Sequence, residues 1–192
     1  MGNQQGTLTD GELGWLAGII EGEGSITMNV RKKHWKGWNG IGVDLTVCVS
    51  NTDGRLLERV ADLFFRLTES HPHINEFKKS PVYKKDGSAY LNPKTSIMNI
   101  SVGRMTDILK VLKAIEPHMV GEKVGRARLM MTFIERRLER KGNNAVRNGP
   151  SWYDGYDWST VAEFYKLKNR PIPPEVQGLL NEYEQTGRHL DA

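Results

Sequence analysis

Residues 15–25 read WLAGIIEGEGS, and no other stretch constrains the fold as much. Leu13 to Ile20 are eight consecutive residues without a charge, after which Glu21 and Glu23 alternate with Gly22 and Gly24. Thr9-Asp10-Gly11-Glu12 has the pattern of a capping box, a small polar N-cap with Glu three residues on, so a helix is predicted to start at about residue 10. Leu13, Leu16, Ala17 and Ile20 form one apolar stripe. The opposite face, Gly14, Trp15, Gly18 and Ile19, is also uncharged. A helix that is apolar all round is buried all round. In a chain of 192 residues one face can meet the chain's own core, and the other needs a second body. Gly14 and Gly18, four apart, would let another backbone come close.

The two acids sit at the wrong end of such a helix. A helix C-terminus carries partial negative charge, and a carboxylate there is disfavoured by about 0.3–1 kcal/mol. Gly22 and Gly24 fit a tight helix exit with unusual backbone angles. If two copies of the helix pack together, two Glu23 carboxylates come close and the repulsion grows. A divalent cation removes the conflict, because carboxylates and backbone carbonyls are the hard oxygen ligands that Mg²⁺ accepts. The plain alternative is a solvent-exposed acid in a glycine turn.

After Gly24 the period changes to two. Ile26, Met28 and Val30 alternate with Thr27, Asn29 and Arg31. Val43, Leu45, Val47 and Val49 then alternate with Asp44, Thr46, Cys48 and Ser50. This predicts a β-hairpin with one core face and one polar face. Its turn, HWKGWNG, carries two tryptophans that suit either bracing the tip or touching a ligand. A helix is predicted over 53–67, a second strand pair over 74–83 and 96–102, a short helix over 106–115 stopped by Pro117, and a long amphipathic helix over 120–141. Residues 142–157 have loop composition, and two short helices follow at about 159–168 and 174–185. No internal repeat of the first motif is present.

Net charge is +4, but its placement is more telling. Residues 25–55 hold five basic and two acidic side chains, net +3, and residues 78–94 hold five basic and one acidic, net +4. The remainder is therefore net −3. Such local positive charge suggests a polyanion partner, although a solvated lysine-rich face has the same composition. No run approaches the roughly 18 apolar residues of a membrane span. The polar start MGNQQGTLTDGE does not read as a signal peptide, and Gly6 stands where a myristoylation signal wants Ser or Thr. An intracellular protein with no membrane partner is expected. The single Cys48 allows neither an internal disulfide nor a Cys-rich zinc site. His71 and His73 flank Pro72 with no other ligand set nearby, and read as loop histidines.

LAGIIEGEG, Leu16 to Gly24, resembles the LAGLIDADG motif of homing endonucleases. Leu16, Ala17, Gly18, Ile20 and Gly24 are identical to it. Ile19, Glu21 and Glu23 are conservative changes, and Gly22 replaces alanine. The helix–hairpin–helix–hairpin–helix order over roughly residues 9–141 also matches. The resemblance implies an α+β fold of αββαββα order with a saddle-shaped antiparallel sheet. The core would be 1–142, and 143–192 a C-terminal helical extension packed on it through Trp152, Tyr153, Tyr156, Trp158, Phe164 and Tyr165. One motif per chain resembles the homodimeric, single-motif members. Gly14, Trp15, Gly18 and Glu21 would lie at the dimer interface, with Glu21 capping or orienting the paired helices.

The same resemblance implies an activity, the double-strand cleavage of DNA with Mg²⁺ or Mn²⁺. Ca²⁺ would support binding without cleavage, and no small-molecule cofactor is expected. Glu23 would bind the metal with help from the Gly22 carbonyl. Asn51, at the end of the second strand, would orient water, and Arg55 would contact the scissile region. A lysine early in the helix after the second hairpin would contact the scissile phosphate. Lys123 is the candidate, although Glu122 stands where a strict spacing from Pro117 puts the base; Arg126 and Arg128 are fallbacks.

The polar sheet face would read the major groove of double-stranded DNA through Ser25, Thr27, Asn29, Arg31 and Lys33, and through Asp44, Thr46 and Cys48. Lys78, Lys79, Lys84, Lys85, Asn99 and Ser101 would contribute from the second hairpin. Arg and Lys suit guanine, Asn suits adenine, and Asp accepts from cytosine. A nine-residue strand of about 30 Å covers roughly nine base pairs, so a dimer would cover about twice that, on a long, nearly palindromic site. The rivals are an intron-RNA maturase, in which Glu23 would be dispensable, and a DNA-binding regulator that has lost cleavage. An intein is disfavoured, since no splicing-type Cys or Ser start or His-Asn end is evident. Bacterial, archaeal, phage-infected and organellar settings all fit.

Overall fold

The computed structural model describes residues 8–35, 38–78, 96–143 and 153–186. The chain runs α1 (Asp10–Gly22), β1 (Gly24–Trp35), β2 (Trp38–Asn51), α2 (Gly54–Thr68), β3 (His73–Lys78), β4 (Ser96–Val102), α3 (Met105–Ile115), a single 3-10 turn (Glu116–His118), α4 (Lys123–Asn143), α5 (Gly155–Leu167) and α6 (Pro174–Thr186). The four strands form one sheet in the order β1-β2-β4-β3. β4 runs antiparallel to β2, with Val49 opposite Ile100, and to β3, with Asn75 opposite Asn99. This is the α+β architecture with an antiparallel sheet that the sequence predicts. The Lys79, Lys84 and Lys85 expected on the second hairpin lie outside the described residues. Among those residues no helix is long and apolar enough to cross a membrane.

Two compact units share the chain. One comprises Met1–Ser25 and Thr46–Gly121, the other Ile26–Leu45 and Glu122–Ala192. In the first, Leu16, Ala17 and Ile20 of α1 are buried with Leu57, Val60, Leu63 and Phe64 of α2, with Ile108, Val111 and Leu112 of α3, and with Val47, Val49, Ile100 and Val102 of the sheet. In the second, the core is Ile26, Met28 and Leu45 of the hairpin with Met130, Phe133 and Ile134 of α4, Trp158, Val161 and Phe164 of α5, and Val176 of α6.

The first unit is tied at its start by Glu12. Thr9 and Glu12 form the expected capping box. The same Glu12 carboxylate accepts from Arg59 at 2.6 Å and Arg66 at 2.7 Å, both on α2. One side chain therefore closes the N-terminus of α1 and binds that helix to the next. The hydrogen bond from Arg66, then that from the Thr9 backbone, hold the Glu12 carboxyl down at about 2, against an ordinary 4.5.

The second unit has its own charged knot. The helix start predicted at about 159 is at Gly155, because Asp154 and Asp157 make a second capping box. Asp157 is fully buried and meets Arg140 at 3.1 Å, while Asp154 accepts from Arg136 at 2.7 Å and also from Arg140. Burial pushes the Asp157 carboxyl up, and the neighbouring Asp154 charge adds to this. Burial also works against the charged form of Asp154, but hydrogen bonds from Arg140, the Asp157 backbone and Arg136 outweigh it and bring that group to about 2.

A carboxyl whose folded pKa is depressed contributes stability that is complete above its unfolded value and is lost as pH falls through the folded one. For Glu12 that window runs from 4.5 down to about 2. The melting temperature should therefore drop as pH is lowered from 5 to about 2.5. Glu12→Gln should lower the melting temperature at neutral pH and flatten the acid slope. Thermal melts of both proteins at several pH values check this; parallel acid slopes would contradict it.

Candidate functional site

Glu23 is the C-cap of α1, with φ −108° and ψ −13°, and its N–H donates to the Ile19 carbonyl at 2.8 Å. Gly24 opens β1. Neither Gly22 nor Gly24 has the left-handed backbone expected of a tight glycine exit. The glycine at 24 is required for another reason. A Cβ there would stand 2.7 Å from the Ile20 Cα, 2.8 Å from the Ile20 carbonyl oxygen and 3.0 Å from the Cys48 carbonyl oxygen. The end of α1 thus lies directly against β2, and a side chain at 24 would pry them apart. A Cβ at Gly22 would meet nothing within 4 Å. The Glu23 side chain is exposed, and among the described residues its carboxylate has no hydrogen-bond or ion-pair partner.

Glu21, two residues earlier, is engaged within its own unit. Its carboxylate accepts from the Val120 N–H at 3.1 Å and from the Gly121 N–H. A Cβ on Gly121 would stand 2.6 Å from Glu21 Oε1, so glycine there leaves room for the carboxylate. These contacts fall just before α4, which starts at Lys123 and not at 120.

The sheet alternates as predicted. Ile26, Met28, Leu45, Val47 and Val49 are buried, whereas Thr27, Asn29, Thr46, Cys48 and Ser50 are half-buried and Ser25 and Arg31 exposed. Arg31 Nε lies 3.4 Å from Asp44 Oδ2, so two of the expected base readers pair with each other across the hairpin. Lys33 lies on β1, and its side chain is outside the described residues, as are those of the turn tryptophans. Residues directly opposite on neighbouring strands share a face, so the register extends the polar surface in two rows. Cys48, Ser101 and His73 form one row, and Ser50, Asn99 and Asn75 form the next. Asn99 Nδ2 donates to Ser50 Oγ at 2.8 Å. Ser101, expected at the DNA surface, is only 9% exposed. It sits mid-sheet between Cys48 and His73, too covered to reach a groove. Lys78 ends β3 opposite Ser96.

At the far end of β2, the Asn51 Oδ1 accepts from Thr52 N at 2.7 Å and Asp53 N at 2.9 Å. Two N–H donors identify that atom as the oxygen, so the amide NH₂ is the Asn51 group left for other contacts. Asp53 caps α2 by accepting from Arg55 N at 2.9 Å. The Arg55 side chain is 93% exposed, at a helix end where the dipole favours an anion. In the other unit Lys123 is half-buried at the first position of α4. Glu122 pairs with Arg126 at 2.7 Å, which occupies the acid and buries the fallback arginine.

No protein-family model matches the sequence, and no curated protein matches it. Solved structures do. The chain is 13% identical to the archaeal intron-encoded homing endonuclease I-Vdi141I, complexed with DNA, over 94% of this chain and 99% of that one, with a TM-score of 0.59. It is 13% identical to the homing endonuclease I-CvuI, in complex with a DNA target and Mg, over 93% and 96%, with a TM-score of 0.57. It is 21% identical to the LAGLIDADG homing endonuclease I-SmaMI, bound to cleaved DNA, over 94% of this chain but 49% of that longer one, with a TM-score of 0.58.

The chain has the LAGLIDADG homing-endonuclease fold.

Within this fold Gly22, Glu23, Asn51, Arg55 and the polar rows all belong to the first unit. Among the described residues no three His, Cys, Asp or Glu side chains cluster as a metal cage. The donors present, one carboxylate and one carbonyl, fit Mg²⁺, which is held by one or two carboxylates together with waters and substrate oxygens. The register adds Ser50, His73 and Asn75, which the sequence reading did not single out as site candidates, to the polar rows. Their signal was the alternation His73, Asn75, Phe77, masked by Ile74 and by the adjacent Pro72. The LAGLIDADG helix exit also separates its two inner glycines. Gly24→Ala should cost about 1–3 kcal/mol or more, because the added methyl meets backbone on two sides, whereas Gly22→Ala should leave stability within about 0.5 kcal/mol of the parent or raise it. Chemical denaturation of the two variants checks the contrast.

Proposed function

We propose that the chain is a site-specific DNA endonuclease that works as a homodimer and needs a divalent metal ion. What supports this is the exposed Glu23 carboxylate, without a protein partner among the described residues, where the motif helix runs into a sheet with one polar face. Glu23 and the Gly22 carbonyl hold the cation, which would be Mg²⁺ or Mn²⁺. A metal ion there supplies a polarised water and neutralises charge on the leaving oxygen during phosphodiester hydrolysis. The Asn51 NH₂ donates to the attacking water or to a phosphate oxygen. Arg55, at the positive end of α2, binds the phosphate backbone, and Lys123 contacts the scissile phosphate. Arg31, Asp44, Thr27, Asn29, Thr46, Cys48, Ser50, Asn75 and Asn99 read base edges in the major groove.

The second copy is argued from α1. A Cβ at Gly14 or Gly18 would meet nothing within 4 Å, and Trp15 is 38% exposed on the same helix. An uncharged, side-chain-poor face of this kind is suited to a second α1 in close approach. Two such helices bring two Glu23 carboxylates together, one for each DNA strand. The carboxylates then repel each other unless cations neutralise them.

Two outcomes follow. Glu23→Gln should still bind its DNA but should lower cleavage by about 10²-fold or more, since it removes a direct metal ligand. The assay is cleavage of a target selected from random double-stranded DNA, with Mg²⁺, with Ca²⁺ and with EDTA. A Glu23→Gln protein that cuts like the parent would remove the catalytic reading, and tight binding with no cutting by any form would favour a regulator or maturase. Gly18→Leu should keep or raise the melting temperature of one chain, because there is room for the side chain, yet sediment as a monomer where the parent sediments as a dimer. A Gly18→Leu dimer would place the interface elsewhere.

A further inference from the structure

The tail has a specific relation to the hairpin in its own unit. β1 is an edge strand, and β2 pairs with β4 only over Val47–Asn51 in the described register. The outer half of the hairpin, 26–45, therefore exposes strand edges that would ordinarily be free to bend or to pair elsewhere. Two tyrosine hydroxyls meet those edges. Tyr165 on α5 accepts a hydrogen bond from the Val30 N–H of β1 at 3.3 Å. Tyr153, just before α5, accepts one from the Val43 N–H of β2 at 3.3 Å. The tail thus takes one backbone N–H from each strand of the hairpin.

Both anchors are themselves held. The Tyr153 ring lies tilted against Trp158 at 4.9 Å and stacks on Phe133 at 6.2 Å, with the Arg137 guanidinium 4.4 Å above it. Its carbonyl accepts from the Tyr183 hydroxyl of α6 at 2.7 Å. The adjoining Asp154 is fixed by Arg136 and Arg140. A third contact, Lys32 to Glu175 at 3.8 Å, joins β1 to α6. Lys32 is thereby turned to the tail, while its neighbour Arg31 faces Asp44 on the polar side.

We propose that residues 153–183 are a brace for the recognition hairpin, with Tyr153 and Tyr165 as positioning residues that set base discrimination at the outer part of each DNA half-site. This rests on the endonuclease reading above. A side chain discriminates a base only when its own position is fixed to within a fraction of a hydrogen-bond length. Thr27, Asn29, Arg31 and Asp44 lie on the braced segment, whereas Glu23, Asn51 and Arg55 lie on the other unit and do not depend on the brace.

The test uses Tyr153→Phe, Tyr165→Phe and the double variant, each of which keeps the ring and its packing. The wild type is first used to select a site from random double-stranded DNA. All proteins are then assayed on that site and on every single-base-pair variant of it. At outer positions discrimination should fall from the roughly five- to hundredfold of a held contact to about threefold or less in the double variant. Discrimination at the central positions, and the cleavage rate at saturating protein, should stay within about twofold of wild type. Amide hydrogen exchange at Val30 and Val43 in the free protein should be slow in wild type and speed up in the matching variant. A merely stabilising role would lower the melting temperature and weaken all positions alike, which would overturn the proposal. So would unchanged outer discrimination, or unprotected Val30 and Val43 amides in a wild type that binds DNA. Failure of the wild type to select any DNA would instead overturn the endonuclease reading, and the brace's role in readout with it.

Discussion

The rest of the structure depends on the absence of a side chain at residue 24. With hydrogen there, the last turn of α1 comes within van der Waals contact of β2 at Cys48, and the chain turns from helix to strand in one residue. That contact sets the helix's electronegative end, and the acid that follows it, next to the β2 backbone. Any larger residue would separate helix from strand, and Glu23 would move with the helix. The carboxylate costs stability where it stands, and no basic residue in the last turn of α1 offsets it.

Glu21 and Glu23 show how two acids of one type, two residues apart, acquire different work from their surroundings. Glu21 points back over the turn before α4 and satisfies two backbone donors that would otherwise lack partners. It can be understood without any ligand. Glu23 is exposed, at a helix end that carries partial negative charge. The same contrast separates Arg126, buried and paired with Glu122, from Arg55, almost wholly exposed at the start of a helix. Stability explains Glu21 and Arg126, whereas Glu23 stands without a partner among the described residues and Arg55, almost wholly exposed, has the exposed Asp53 carboxylate at 3.9 Å.

How much of this was legible in the sequence varies with how local each determinant is. The start of α1 follows from Thr9 and Glu12 alone, and the two faces of the first hairpin from strict alternation. The α5 start was missed because Asp154 and Asp157 form their capping box inside a Gly- and Tyr-rich run that has the composition of a loop. Gly24 was recognised as necessary but for a local reason, backbone angle, when the real one is a close approach to Cys48, 24 residues away. The partners of Glu21 are about 100 residues distant, beyond the reach of any spacing rule. Ser101 looked like a surface residue by alternation, yet between Cys48 and His73 in mid-sheet it is only 9% exposed. Asn75 and His73 became candidates only once the register placed them beside Asn99 and Ser101.

The Arg31–Asp44 pair bears on how such a surface could select rather than merely attract. An exposed ion pair of this kind contributes only about 0–1 kcal/mol, so opening it is easy. Left closed, it cancels a positive charge that would otherwise bind any phosphate backbone regardless of sequence. In the proposed function, opening is repaid only where the groove offers both an acceptor pair for the arginine and an amino donor for the aspartate. A guanine and a cytosine present those groups in the major groove. The pair therefore weakens contact with the wrong DNA more than contact with the right one, and it can do so only on strands held still relative to each other. On that proposal the stiffness of the hairpin, and hence the tyrosines at its edges, would be part of the recognition chemistry.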